Sequence, residues 1–342
     1  MSKVTKVTMS HIAARSGVSQ STVSLVLNHS HNIKLAAATR EKVLTTAREM
    51  GYVRKSSASV AGMGKIALLF NGVLHRDPFA EAIYSAQQAA WQHNKLLAIF
   101  EQKNEPGHCA ALEEEIRRGG YQGIIYASSL TTALTPVYFN FAIPMVMLNG
   151  YCPELPDIPC ILPAEKVSAY KATCHLLQQG YKRIAMLVGE RKMAFATDRL
   201  YGYRQALINH DIFPDERYIR VANGSLKVAY QKTLDLLLIS PPPDAIFCSS
   251  DDIAIGCYQA ILSRGLRIPD DIAVVGYSNQ RLSPALTPEL SAVELSWSKM
   301  GVLALTTLLK LSNRQPLLDT IMKVEGELVV RASSVRPCDA PA

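Results

Sequence analysis

Thr8 to Asn28 reads TMSHIAARSGVSQSTVSLVLN, and this stretch decides what the rest of the chain can be. Its first part carries Ile12, Ala13 and Ala14, small or apolar residues that let a second helix approach closely. Gly17 can take the left-handed conformation of a sharp turn without a Cβ penalty. Ser19 is then a natural N-cap, because its hydroxyl accepts from the free amides of a first helical turn. Val18, Val23 and Val26 fall on the inward side, which leaves Gln20, Ser21, Ser24, Leu25 and Asn28 for the outer face and the helix end. This spacing predicts a helix-turn-helix whose second helix has the dimensions to enter a major groove. A third helix is expected over 38–50, with Thr39 as its cap, Val43, Leu44 and Ala47 buried, and Gly51 ending it.

Charge points the same way. The chain has 342 residues and a formal net charge of +7, and residues 1–60 hold nine Lys/Arg against two acids, so the whole excess sits there. A small basic module for a polyanion, nucleic acid first and an anionic membrane surface second, is thus joined to a large neutral body. No apolar run approaches the ~18 residues of a membrane span. The polar, basic start of the chain also lacks the apolar core of an export signal, so a cytoplasmic protein without a membrane partner is expected. Seven cysteines, odd in number, scattered and without a CxxC pair, read as reduced thiols rather than a disulfide framework or a metal site.

Residues 55–64 (KSSASVAGMG) are small, polar and glycine-bearing, the composition of a linker. Beyond them apolar runs alternate with amphipathic stretches. Strands are expected at 66–70, 96–101, 123–127, 145–148, 183–188, 245–248 and 272–276, with helices at 78–93, 109–118, 166–179, 197–210, 226–239 and 253–264. Such alternation means parallel sheets covered by helices, and about 280 residues is more than one sheet of this kind usually needs. We therefore expect a helix-turn-helix module at 1–53, a linker at 54–65, a two-lobed α/β body at 66–332 and a tail at 333–342. Lobe one would take about 66–164 plus 296–320, and lobe two about 165–295 plus 321–332. A helix at 296–311 and a strand at 322–330 would cross back between them.

The order I-A-x-x-x-G-V-S-x-x-T-V-S from Ile12 to Ser24, followed by Thr39-Arg40-Glu41-Lys42-Val43 and Gly51-Tyr52-Val53, resembles the DNA-binding headpiece of the LacI/GalR family of bacterial transcription regulators. The string STVSLVL (21–27) is also similar to the recognition helix of a maltose-regulon member. Further markers of the family are Asp77-Pro78-Phe79, Arg199-Leu200-Tyr201-Gly202-Tyr203, Ser250-Asp251-Asp252, Ile272 to Tyr277, and Glu327 to Arg331. The resemblance implies a body like the periplasmic (type I) sugar-binding proteins, two lobes around a ligand cleft.

It also implies that Gln20, Ser21 and Leu25 read base edges. Gln can bond adenine bidentately, Ser serves either partner, and an aliphatic chain meets a thymine methyl. Thr8, Ser19, Thr22, Ser24 and Asn28, together with the basic Lys6, Arg54 and Lys55, would hold phosphates and set register. The hinge departs from the family. Arg54 stands where a Pro is usual, and Ala61 stands where a Leu normally wedges into the minor groove, with Val60 as the substitute.

Candidate effector residues lie after the strands: Phe79, Asn149, Arg199, Ser250, Asp251 and Ser278. Arg199 would be the polar anchor, its planar fork gripping two hydroxyls or a carboxylate. Phe79 is either a stacking face or plain core, and Asp251 either a ligand contact or a helix cap. Ser278 stands where family members often carry an Asp for sugar hydroxyls.

An enzyme fails on parts, for there is no Walker loop, GxSxG elbow, HExxH or complete GxGxxG, and no cofactor site is expected. A transport-type binding protein would not carry the basic headpiece. The expected function is a nucleoid-associated homodimeric repressor of a carbohydrate operon, binding an inverted-repeat operator under control of a sugar-like effector. The alternative within the family is a cleft that is degenerate or that answers a nucleoside or a protein.

Overall fold

The computed structural model describes residues 7–27, 36–50, 63–71, 79–102, 106–134 and 143–336, and falls into two compact units, 1–63 and 64–342.

In the first unit α1 (Met9–Ser16) begins at Thr8, whose hydroxyl accepts from the His11 amide while the His11 ring accepts from the Thr8 amide. Gly17 ends the helix at φ 68°, ψ 30°, and its amide donates to Ala13 O. At this left-handed position a side chain would be strained. Ser19 accepts from the Thr22 amide at 3.1 Å and so caps α2 (Gln20–Leu27). Ile12, Val23, Val26, Leu27, Val43 and Ala47 close one small core with α3 (Ala37–Glu49). Two details differ from expectation. Thr39 lies inside α3, because the helix opens on the Ala36 carbonyl, and Leu44 is exposed because the buried face runs through Val43, Thr46 and Ala47.

The second unit holds two six-stranded sheets. The first runs in the order 321–324, 160–163, 145–151, 121–133, 64–71, 95–102, the second 327–329, 291–294, 273–277, 245–248, 184–188, 219–221. Its first-sheet strands are β1 (Gly64–Asn71), β2 (Lys95–Gln102), β3 (Tyr121–Ala133), β4 (Met145–Tyr151), β5 (Cys160–Pro163) and β11 (Ile321–Val324). The second sheet contains β6 (Ile184–Val188), β7 (Ile219–Val221), β8 (Ala245–Cys248), β9 (Ala273–Tyr277), β10 (Ser291–Glu294) and β12 (Glu327–Val329). Every pairing is parallel except β10 with β12. Helices α4 (Ala80–Gln92), α5 (Pro106–Arg118) and α10 (Trp297–Ser312) belong with the first sheet. Helices α6 (Glu165–Gln178), α7 (Ala194–Ile208), α8 (Leu226–Leu237) and α9 (Asp251–Ser263) belong with the second.

The expected single strand at 322–330 is two strands, one in each sheet. Residues 321–324 therefore belong to lobe one and not to lobe two. The chain crosses at Ala164, at 295–296 and at 325–326, where the Ser168 hydroxyl accepts from the Gly326 amide at 3.1 Å. Strand β1 starts at Gly64, inside the expected linker. The expected tail is partly structural too: Ser333 and Ser334 are fully buried, with the Ser333 hydroxyl donating to Val274 O.

The motif Arg199 to Tyr203 acquires a physical account here. A Cβ on Gly202 would stand 2.2 Å from Lys166 O, so only glycine lets α6 and α7 come this close. Tyr203 is buried and donates to Ile184 O at 2.7 Å, tying α7 to β6. Arg199, one turn earlier, points into the space between the lobes.

Candidate functional site

The candidate site comprises two surfaces, one on each unit. On the first, Gln20 and Ser21 are exposed at the start of α2 and Leu25 is half-buried on the same helix. The hydroxyls expected to meet phosphates have local work as well. Thr8 and Ser19 serve as caps, and Thr22 shares a hydrogen bond of 2.8 Å with Ser19. Ser24 is half-buried on α2. Lys6, Asn28, Arg54, Lys55, Val60 and Ala61 lie outside the described residues.

On the second, a cleft of about 390 Å³ opens between the lobes at the carboxyl ends of the strands. Phe79, Asn149, Arg199, Ser250 and Ser278 all line it; Asp251 does not. Phe79 is both core and wall: it is buried, packs on Phe70 and meets Trp297 edge-on at 5.1 Å. Asn149, with φ 57°, is buried and held by Thr131 Oγ1 and Ser128 O at 2.6 and 2.9 Å. Ser250 caps α9, accepting from the Ile253 amide. Ser278 has φ 105°, a backbone position rare for a residue with a side chain, and its amide donates a hydrogen bond to Val293 O at 2.7 Å.

Arg199 is not the free fork that its motif suggests. Its Nε and Nη2 donate to the two oxygens of Glu165 at 2.7 and 2.9 Å, and Nη1 donates to Ser249 O at 2.5 Å. The guanidinium also lies 3.7 Å over the Tyr277 ring, and Tyr277 Oη donates to Glu165 at 2.5 Å. Burial and then the Glu165 charge push the Tyr277 hydroxyl well up, so it stays a donor. Each terminal nitrogen of Arg199 carries one more N–H than these bonds use. The buried pair fixes the guanidinium in place before any ligand arrives.

Asp251 holds the loop beside the cleft instead. Its Oδ2 accepts from the Gln280 amide at 2.6 Å and the Ser283 hydroxyl at 2.8 Å. Burial pushes its pKa up to about 6, against the lowering effect of these bonds. A carboxyl that holds its proton more tightly folded than unfolded makes stability fall as pH rises through the range between the two pKa values. Between pH 5 and pH 7 this group should therefore cost the body about 1 kcal/mol. His175, whose pKa burial lowers, contributes the opposite slope. Urea midpoints of wild type minus Asp251→Asn at both pH values isolate the effect, and equal differences at the two would contradict it.

Sequence reasoning missed several lining residues. Glu165, Glu190, Asp252, Gln280, Phe195 and Trp297 all face the cleft. A lone Trp opening the helix expected at 296–311 was a usable signal. Glu165 had none, since nothing local announces its partner on α7. Among the described residues no group of His, Cys, Asp or Glu could hold a metal, Cys152, Cys160, Cys174, Cys248 and Cys257 are free thiols, and no helix is long and apolar enough to cross a membrane.

A three-helix module with an exposed reading helix, chained to two α/β lobes around a polar and aromatic cleft, defines a ligand-responsive DNA-binding regulator. Residues 8–55 match the family "Bacterial regulatory proteins, lacI family", and residues 173–334 match "Periplasmic binding protein-like domain". The probable HTH-type transcriptional repressor ExuR of Bacillus subtilis (strain 168) is 33% identical over 318 residues, which cover 89% of this chain and 91% of that one. The HTH-type transcriptional repressor CytR of Escherichia coli (strain K12) is 28% identical over 96% of this chain and 97% of its own. The fold is that of the lac repressor dimer bound to operator and the anti-inducer ONPF, with TM-score 0.68 at 24% identity, covering 96% of this chain and 99% of that chain. The chain belongs to the LacI family of transcription regulators. The likeness of residues 21–27 to a maltose-regulon member is not among these findings.

Proposed function

We propose that this regulator is a homodimeric repressor of a carbohydrate-utilisation operon, acting in the cytoplasm at the nucleoid and without catalytic activity of its own. It binds an inverted-repeat operator through α2 and releases or grips it according to a small sugar-like ligand between the lobes. The observation that carries this is the pairing of an exposed, uncharged reading edge on α2 with a cleft whose guanidinium is already locked in place. Gln20, Ser21 and Leu25 read bases, while Thr8, Ser19, Thr22, Ser24 and Asn28 and the basic Lys6, Arg54 and Lys55 hold phosphates. Val60 and Ala61 form the hinge contact. In the cleft Arg199, Asn149, Ser250 and Ser278 contact the ligand and Phe79 stacks on it; Asp251 shapes the loop. The ligand must bind the two lobe arrangements unequally, because equal binding shifts nothing.

Gln20→Ala tests the reading edge. It should cost about 1–3 kcal/mol on the operator, relax preference at one base pair, and leave affinity for random DNA unchanged. Competition gel shifts on operator and scrambled duplexes measure this. Equal losses on both would remove Gln20 from base reading.

A further inference from the structure

The charges of the cleft narrow the ligand further. Among its described lining residues four are ionisable: Glu165, Glu190, Arg199 and Asp252. Glu165 and Arg199 neutralise one another. Glu190 and Asp252 are exposed and have no ion-pair partner among the described residues, which leaves the described lining with two negative charges in excess. They leave the second sheet side by side, since β6 and β8 are neighbours with Leu187 opposite Cys248. Helix α9 begins with Asp251 and Asp252, so its positive pole is answered from within and offers little to an anion.

Two further groups call for a ligand independently of these acids. Ser249 Oγ and Trp297 Nε1 are buried and make no hydrogen bond, their residues are only 2% and 6% exposed, and both residues line the cleft. An indole N–H is a donor only, so Trp297 requires an acceptor oxygen from whatever enters. Buried donors left unpaired are costly, and the natural remedy is a ligand that pairs them.

We propose that the cleft takes a hydroxylated ring bearing a protonated amine, the chemistry of an amino sugar, and rejects sugar acids and sugar phosphates. Its ammonium group sits between Glu190 and Asp252, its oxygens meet Trp297 Nε1 and Ser249 Oγ, and its apolar face lies on Phe79. This rests on the reading of the cleft as the effector site.

The test uses the full chain carrying Trp91→Phe, which removes an exposed indole on α4 and leaves Trp297 as the one tryptophan to report binding. Matched sets are titrated: glucosamine, glucose and glucuronate, then galactosamine, galactose and galacturonate. The amine member of at least one set should bind about tenfold tighter than its neutral member, with no binding by the acid. The double variant Glu190→Gln, Asp252→Asn should bring the amine member down to the neutral one. An acid that binds as well as the amine, an amine advantage that survives the double variant, or no binding by any amine at millimolar concentration would each overturn the proposal. Gel shifts on the same preparations separate it from the regulator reading. A neutral or acidic sugar that changes operator affinity removes the amine and keeps the regulator; intact operator binding with no response to any member removes the ligand-controlled reading as well.

Discussion

Arg199→Ala should destabilise the two-lobed body by about 3–5 kcal/mol, because it leaves Glu165 buried without its partner. The carboxylate keeps the Tyr277 hydroxyl but loses both guanidinium bonds, and Ser249 O loses its donor as well. The same variant should lose all response to ligand. Replacing both members of the pair, Glu165→Gln with Arg199→Met, removes the uncompensated charge and should recover most of the lost stability while ligand response stays absent. Urea unfolding of wild type, single and double variants decides the point. A double variant no more stable than the single would mean that the unpaired Glu165 charge is not what destabilises Arg199→Ala.

Val23→Asp should have the larger effect on DNA. Val23 is fully buried where α1, α2 and α3 meet, and the module around it has only a handful of apolar side chains. An ionised carboxylate there costs several kcal/mol, comparable to the whole stability of so small a unit. Operator affinity should fall by at least about a thousandfold, since the reading helix loses its support. The body has its own core, so its thermal transition and its ligand binding should be those of wild type. A body that melts early in this variant would contradict the division into two units.

Much of this was legible along the chain. Glycine, serine and valine at fixed offsets announce α1, α2 and the turn between them, because each residue answers a local backbone demand. The long strands were equally plain as unbroken apolar runs. Strands β5, β7 and β10 are three or four residues long and carry too little pattern to stand out. Only Glu325 and Gly326 separate β11 from β12, too short a break in the apolar pattern to announce that the chain changes sheets there. In the cleft, Phe79, Asn149 and Ser278 were found by their position after strands. Asp251 and Asp252 are adjacent, and only the turn of α9 decides that the first holds a loop while the second lines the cleft. Glu165 could not be found from sequence, since its role depends on a guanidinium brought to it by the packing of α6 on α7.

In the proposed function one chain reads a specific DNA sequence, and a ligand between its lobes alters the reading. Footprinting the full chain on the DNA upstream of its own gene, with and without the amine-bearing sugar, tests it most directly. Protection of an inverted repeat with two half-sites about one helical turn apart is expected, with a change in that protection when the ligand is added. Uniform protection, no stronger than on random DNA and indifferent to ligand, would contradict it.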